Sequence, residues 1–391
     1  MPNMTYAILG AGRQGTAAAY DLARHSNAVK ILFFDIHLDA AQTASKRINQ
    51  LTGTEIATAH SMDVSDSTAL VPHLSGVDVT LSAVPYQYNL NITKACIQAG
   101  SSLCDMGGHT GVVKDQLGLD EKAKSAGVSI VPDCGMGPGL NITMAVYVKD
   151  IFDDPQHISI YDGGLPQTPE PPWNYNLTFH INGLTNEMDG HAFFIRQGKV
   201  TPVDTLTEAE FIEFEPLGRL EADVTSGGLS TSPWAFEGEL ESYENKTLRY
   251  PGHFEWLRAY KALGLFSEDP LEVGHQQVIP RQVYHRLLEP KIRDDDVRDI
   301  CLIRVVGRGE KEGKKKTLVC DLVDHYDQET GFTAMERLTG WHCAIMMGFQ
   351  ASGNIKPGCH PVHSAVSAGI FMEALEHRGI HFSLREDGSL K

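Results

Sequence analysis

Over the first 135 positions, short apolar, β-rich runs alternate with stretches whose apolar residues recur at helical spacing. Tyr6–Leu9, "AVKILFFD", "TEIATAHSMD", "VDVTLSAVP", "SSLCDMGG" and "VSIVPDCG" read as six strands. Thr16–Arg24, "LDAAQTASKRINQL", "NITKACIQAG" and "LGLDEKAKSAG" read as the helices between them. Strands alternating with helices predict an α/β fold, a Rossmann-type doubly wound parallel sheet with crossover helices.

From about residue 155 the rhythm changes. "HISIYDGG" and "NLTFHING" read as strands on either side of the proline-rich "LPQTPEPPWNY". "DICLIRVVGRGE" and "KKKTLVCDLVDHYD" read as an antiparallel hairpin with a lysine-rich, solvated tip. "FEWLRAYKALG" and "RQVYHRLLE" are helical, which predicts an inserted α+β domain. "PVHSAVSAGIFMEALEHRG" reads as an amphipathic helix returning to the first domain. The expected organisation is a dinucleotide-binding domain over 1–150, an α+β substrate and dimerisation domain over 151–345, and a returning segment over 346–391.

Composition narrows the function. The chain has 391 residues and a net charge of -17, which opposes nucleic-acid binding or docking on anionic lipid. No apolar run approaches the roughly 20 residues of a membrane span, and no secretory pattern opens the chain, so a cytoplasmic protein is expected. The seven scattered cysteines lack a C-x-x-C and predict reduced thiols, with no metal site.

The chemistry concentrates in loops that follow strands. In "GAGRQG", Gly10 permits a tight turn, Gly12 a close approach of backbone to a pyrophosphate, and Gly15 helix-on-strand packing. Arg13 and Gln14 share that turn and are expected to bind the cofactor with it. Asp35, about twenty positions after Gly15, stands where an acid holds the adenosine ribose hydroxyls, so NAD is favoured over NADP. Asp63 and Val64 should lie near the adenine, although Asp63 equally suits a helix cap. Ala83 and Pro85 should lie beside the nicotinamide ribose, with Tyr86 on the substrate side. Asp105 and His109 in "DMGGHTG" are the candidate catalytic pair, a carboxylate for an ammonium and an imidazole for its proton. A turn aspartate and an ordinary loop histidine remain the alternatives. Gly139, at a helix start, offers amides to a substrate carboxylate. Glu170 in the stiff "PEPPWNYN" loop, Thr225 in "TSGGLST", and the cationic pair Arg249 and His253 in "RYPGH" are further substrate candidates.

"DMGGHTG", "PDCGMGPGLN", "GGLPQTPEPPWNYN", "TSGG" and "LRYPGH" together resemble the saccharopine dehydrogenase-like family, and within it the NAD-dependent L-lysine 6-dehydrogenases. The resemblance implies NAD on Gly10, Gly12, Gly15 and Asp35, with Asp105 and His109 beside the nicotinamide. It places Glu170 and Asn176 near a small amino-acid substrate, and it implies a homodimer. The implied reaction is oxidative deamination of a terminal amine, with L-lysine giving the 6-semialdehyde and ammonia. A dehydrogenase of saccharopine or a related secondary amine is one alternative, and a non-catalytic NAD sensor another.

Overall fold

The computed structural model describes residues 3–294 and 296–387. All six expected strands form: β1 (Met4–Leu9), β2 (Ala28–Asp35), β3 (Ala57–Ser61), β4 (Val79–Ser82), β5 (Ser102–Asp105) and β6 (Ser129–Val131). Around them run α1 (Arg13–His25), α2 (Leu38–Thr52), α3 (Ser67–Leu74), α4 (Asn89–Ala99), α5 (Thr110–Leu117), α6 (Asp120–Ala126) and α7 (Leu140–Lys149). Of these, α3 and α5 carry no clear periodic signal. Each is a short helix started by a side-chain cap, Asp66 and His109 respectively.

The middle of the chain holds β7 (Asp154–Pro166), α8 (Ile181–Glu187), β8 (His191–Arg196), β9 (Lys199–Asp204), β10 (Glu210–Phe214) and β11 (Gly218–Val224). It continues with α9 (Ser232–Ala235), β12 (Ser242–Arg249), α10 (His253–Ala262), β13 (Leu271–Val273), β14 (Gln276–Val278), α11 (Pro280–Ile292), β15 (Asp299–Lys311) and β16 (Lys314–His325). The chain then forms α12 (Ala334–Ala351), β17 (Gly358–Cys359), α13 (Ala368–Glu376) and β18 (Phe382–Glu386).

Two compact units result. The first contains the chain up to Ile151, Ser230–Ala235 and Asp327–Phe382. Its seven strands are all parallel, in the order β17-β6-β5-β4-β1-β2-β3. That is a doubly wound order, reversing direction beside β1, where open α/β sheets bind ligands beyond their carboxyl ends. Helix α12 packs along α1, and Gly340 makes the approach possible. A Cβ there would lie 2.7 Å from the Ala18 amide nitrogen. The expected boundary at 345/346 falls inside this helix.

The second unit contains Phe152–Leu229, Phe236–Tyr326 and the chain from Ser383. Its mixed sheet runs β10-β11-β12-β7-β15-β16-β18, with β8 and β9 attached through β12. The β15–β16 hairpin is as expected, and its turn is Glu312–Gly313, both at positive φ. A two-residue turn of that kind matches the twist of the strands. Beside the sheet, Leu177, Ile181, Leu184, Phe254, Leu257, Tyr284, Leu288 and Ile292 form a separate helical core.

Two expectations about elements are corrected. "NLTFHING" forms no strand: Asn176–Phe179 is irregular and α8 begins at Ile181, capped by His180. Burial of Leu177, Ile181 and Leu184 in the helical core overrides local strand propensity. The final helix is shorter than expected, because a turn at Pro361–Ser364 and its small polar neighbours delay it until Ala368.

Candidate active site

The glycine loop joins β1 to α1. Gly10 has φ +98°, and a Cβ there would sit 2.5 Å from the Ala83 carbonyl oxygen. A Cβ on Gly15 would sit 2.3 Å from the Gly10 oxygen, so that glycine seats helix on strand. Gly12 differs from both, since a Cβ there would meet nothing within 4 Å. The space above Gly12, at the start of a thirteen-residue helix with no side-chain cap, is what a pyrophosphate needs. Asp35 closes the loop from β2. Its Oδ2 accepts the Ala11 amide at 2.8 Å and its Oδ1 accepts the His37 amide at 2.9 Å. A carboxylate so fixed keeps lone pairs for two ribose hydroxyls. These residues fit a dinucleotide.

Neighbours of the loop are placed as follows. The Arg13 side chain pairs with Glu336 of α12, Nε to Oε1, at 2.6 Å. Gln14 lies in the first turn of α1. Asp63 is exposed and its Oδ1 accepts the Ser65 amide, whereas the cap of α3 is Asp66. Val64 packs on the core beside β3. Ala83 and Pro85 lead from β4 into a 3₁₀ turn, Tyr86–Tyr88.

The loop after β5 brings Tyr86 and His109 together. Their rings stack at 5.2 Å, inclined by 16°. Gly108, at φ +118°, lets the loop pass over Tyr86, since a Cβ would lie 3.2 Å from that ring. His109 caps α5, its Nδ1 accepting the Val112 amide at 3.3 Å. The neutral ring therefore carries its proton on Nε2. His109 is exposed and Tyr86 half-buried.

Asp105 does not join them at the surface. It is 0% exposed. Its Oδ1 accepts the amides of Gly107 at 2.8 Å and Asp133 at 3.2 Å, and its Oδ2 accepts Gln116 Nε2 at 2.7 Å. With every donor supplied by the protein, Asp105 holds the loop that carries His109. The expected direct contact with an ammonium is corrected accordingly. Burial raises its pKa, against the pull of Gln116 and the two amides.

Beside it lies Asp133, which sequence reasoning passed over although it sits in "PDCGMGPGLN". It is buried with φ +62°, and its Oδ2 accepts the Ser230 hydroxyl. Gly107 packs directly on its Oδ1, so no side chain fits there. Burial, then the charge of Asp105, push the Asp133 carboxyl up to about 7, opposed by Ser230 and the Gly108 amide. The left-handed backbone of a non-glycine residue has no simple sequence signal.

Gly139 is also corrected. Asn141 Oδ1 accepts the amides of Gly139 and Ile142 at 3.1 and 2.7 Å. The Leu140 and Asn141 amides go to the carbonyls of Gly135 and Met136. With those four amides engaged, this helix start holds no substrate carboxylate.

The second unit buries Arg249 among aromatic rings and a carboxylate. Arg249, 3% exposed, lies over the Tyr175 ring at 5.1 Å, with Nη2 3.7 Å from Glu187. Its Nε has no acceptor. His253 stacks on Tyr175 at 4.8 Å. Burial and then the charge of Arg249 push the His253 pKa down to about 3, so it is neutral rather than the second cation expected. Thr225, just past the end of β11, is buried and its hydroxyl meets that of Thr247 on β12 at 2.7 Å, so it braces the sheet rather than gripping substrate. Glu170 is exposed and Asn176 half-buried in the proline-rich loop.

Comparison with known proteins agrees with this fold. The saccharopine dehydrogenase NADP binding domain matches residues 6–131, and the saccharopine dehydrogenase C-terminal domain matches residues 135–380. Saccharopine dehydrogenase (NADP+, L-glutamate-forming) from Schizosaccharomyces pombe is 23% identical over 415 aligned residues, 87% of this chain and 91% of that one. Alpha-aminoadipic semialdehyde synthase from Arabidopsis thaliana is 28% identical over 257 residues, 61% of this chain but 23% of that longer protein. Among solved structures, the apo saccharopine dehydrogenase (L-Glu forming) from Saccharomyces cerevisiae shares the fold, with a TM-score of 0.80 at 19% identity. That match covers 98% of this chain and 100% of that one. The chain belongs to the saccharopine dehydrogenase family.

Proposed function

We propose that the protein is an NAD-dependent oxidoreductase that deaminates the terminal amine of an amino acid, with L-lysine as its substrate. The observation that carries this reading is the exposed His109 ring, braced by Tyr86 at the carboxyl edge of a dinucleotide-type sheet. When bound, the nicotinamide supplies the hydride acceptor. Gly10, Gly12, Gly15 and Asp35 hold the dinucleotide. The basic lone pair of His109 is on Nδ1, engaged only by the Val112 amide at 3.3 Å. An incoming ammonium competes for it and leaves its proton there. The neutral amine can then lose hydride from its carbon, and water adds to the substrate imine. The imidazolium gives its proton through Nε2 to the departing ammonia, and the proton freed when water adds to the imine passes to solvent, so the net reaction releases one proton. Asp105 and Asp133 keep the loop in place.

Cofactor choice rests on Asp35, whose charge repels a 2′-phosphate, and on the absence of arginine in Ile36, His37 and Leu38. The matched domain bears an NADP name, and the relatives are named for saccharopine. Those names favour a second reading, an NADP-dependent dehydrogenase of a secondary amine. The same proposal includes a homodimer and a reducing cytoplasm, and the seven free cysteines support the second of these. Among the described residues no helix is long and apolar enough to cross a membrane.

The test is formation of reduced nucleotide from NAD or NADP with L-lysine, other terminal amines and saccharopine. Turnover of lysine with NAD supports the reading. Turnover of saccharopine alone, or of NADP alone, replaces it with the second.

A further inference from the structure

Glu336 stands at the third position of α12, far along the chain from the nucleotide loop. Its carboxylate is fixed on both oxygens. Oε2 accepts the Thr333 amide at 2.9 Å, while the Thr333 hydroxyl accepts the Glu336 amide at 3.1 Å, a closed capping box. Oε1 accepts Arg13 Nε at 2.6 Å. The Glu336 side chain is 5% exposed and that of Arg13 35%. The segment before α12 is anchored separately. Arg47 donates to the Thr330 carbonyl at 3.1 Å and lies 4.1 Å over the Phe332 ring.

Arg13 is the residue after Gly12, and Ala11, on the other side of Gly12, donates its amide to Asp35. The Arg13 guanidinium is therefore carried two positions along the chain from the amide that Asp35 holds. Free, it would suit a ribose phosphate, since arginine binds phosphate through paired N–H donors. Held by a buried carboxylate, it is neutralised and turned toward α12.

We propose that Glu336 is a specificity-determining residue that withholds Arg13 from the cofactor and so disfavours a 2′-phosphorylated nucleotide. This deepens the NAD assignment and rests on it. Asp35 supplies repulsion at the ribose, and Glu336 removes the nearby cation that would offset it.

The experiment is fluorescence titration of NADH and NADPH into the full chain, wild type and variants. Glu336→Gln keeps an acceptor for the Thr333 amide but loses the ion pair. It should tighten NADPH about tenfold and leave NADH within about twofold. Arg13→Ala added to Glu336→Gln should cancel that gain. Unchanged NADPH affinity in Glu336→Gln, or a gain that persists without Arg13, overturns the inference. Arg13→Ala alone provides a check that needs no change in α12. It should move the NADPH to NADH ratio less than about twofold, and a large loss of NADPH affinity would show Arg13 already in use. A wild-type preference for NADPH would instead sink the NAD assignment, because the Glu336 effect is read from the shift between variant and wild type.

Discussion

The rings of Tyr86 and His109 lie 5.2 Å apart and 16° from parallel, one from the turn after β4 and the other from the cap of α5. The pair fixes the imidazole by a face contact and a backbone bond, leaving its other edge exposed. This histidine caps a helix, and on the proposed function it also moves a proton; the two roles can be separated. Asparagine is a good helix cap but cannot shuttle protons. His109→Asn should therefore keep the melting temperature near wild type and lower kcat by about 10²–10⁴-fold. NADH affinity should be unchanged. Steady-state kinetics with thermal melts decide the matter, and near-wild-type kcat would move proton transfer away from His109.

Asp105→Asn should act on stability first. Three donors converge on this buried carboxylate, and an amide would turn its NH₂ against one of them. The expected loss is about 1–3 kcal/mol in urea unfolding. Undiminished stability would mean that the carboxylate is not the keystone of this loop.

Asp133 predicts a pH dependence. Its folded pKa, about 7, lies above the roughly 3.9 of an unfolded aspartate. The folded state thus binds the extra proton, and stability falls as pH rises between those values. The groups facing it are the Asp105 carboxylate, the Ser230 hydroxyl and the Gly108 amide, with the Cys134 thiol adjacent. Asp133→Asn cannot titrate. The stability of wild type relative to Asp133→Asn should fall from about pH 4 to pH 7, then level off above it. Urea unfolding of both proteins across that range measures it, and a flat difference would place the titration elsewhere.

Two glycines of the loop, Gly12 and Gly15, should respond differently. Gly12→Val meets no neighbour within 4 Å of its Cβ, so the fold should survive while NADH affinity falls by more than about tenfold. Gly15→Ala drives a Cβ toward the Gly10 carbonyl and should destabilise the first unit by roughly 1–3 kcal/mol. Melts and NADH titrations of the two variants should therefore show opposite profiles. Loss of folding in Gly12→Val would mean that the open space is not where the nucleotide lies.

Much of the first unit was legible in the sequence because its signals are local. Strand runs, crossover helices and a glycine turn each depend on neighbours within a few positions, and β1 to β6 appear where the pattern put them. The strand–turn–helix placement of Gly10, Gly12 and Gly15, and of Asp35 at the end of the neighbouring strand, is legible for the same reason, since the motif spans one such unit and the strand beside it. What the pattern lacked was long-range. "NLTFHING" carries strand propensity, yet burial among α10 and α11 decides its state. Arg249 and His253 look like two cations four positions apart, but desolvation leaves His253 neutral. Gly139 looks like an open helix start until Asn141 and the carbonyls of Gly135 and Met136 take its amides. Asp105 and His109 share one short motif, and only the fold assigns one to the interior and the other to the surface. Charge state, exposure and hydrogen-bond partners belong to the surroundings of a side chain, and those surroundings come from distant chain: Asp133 meets Ser230, and Arg13 meets Glu336, only after folding.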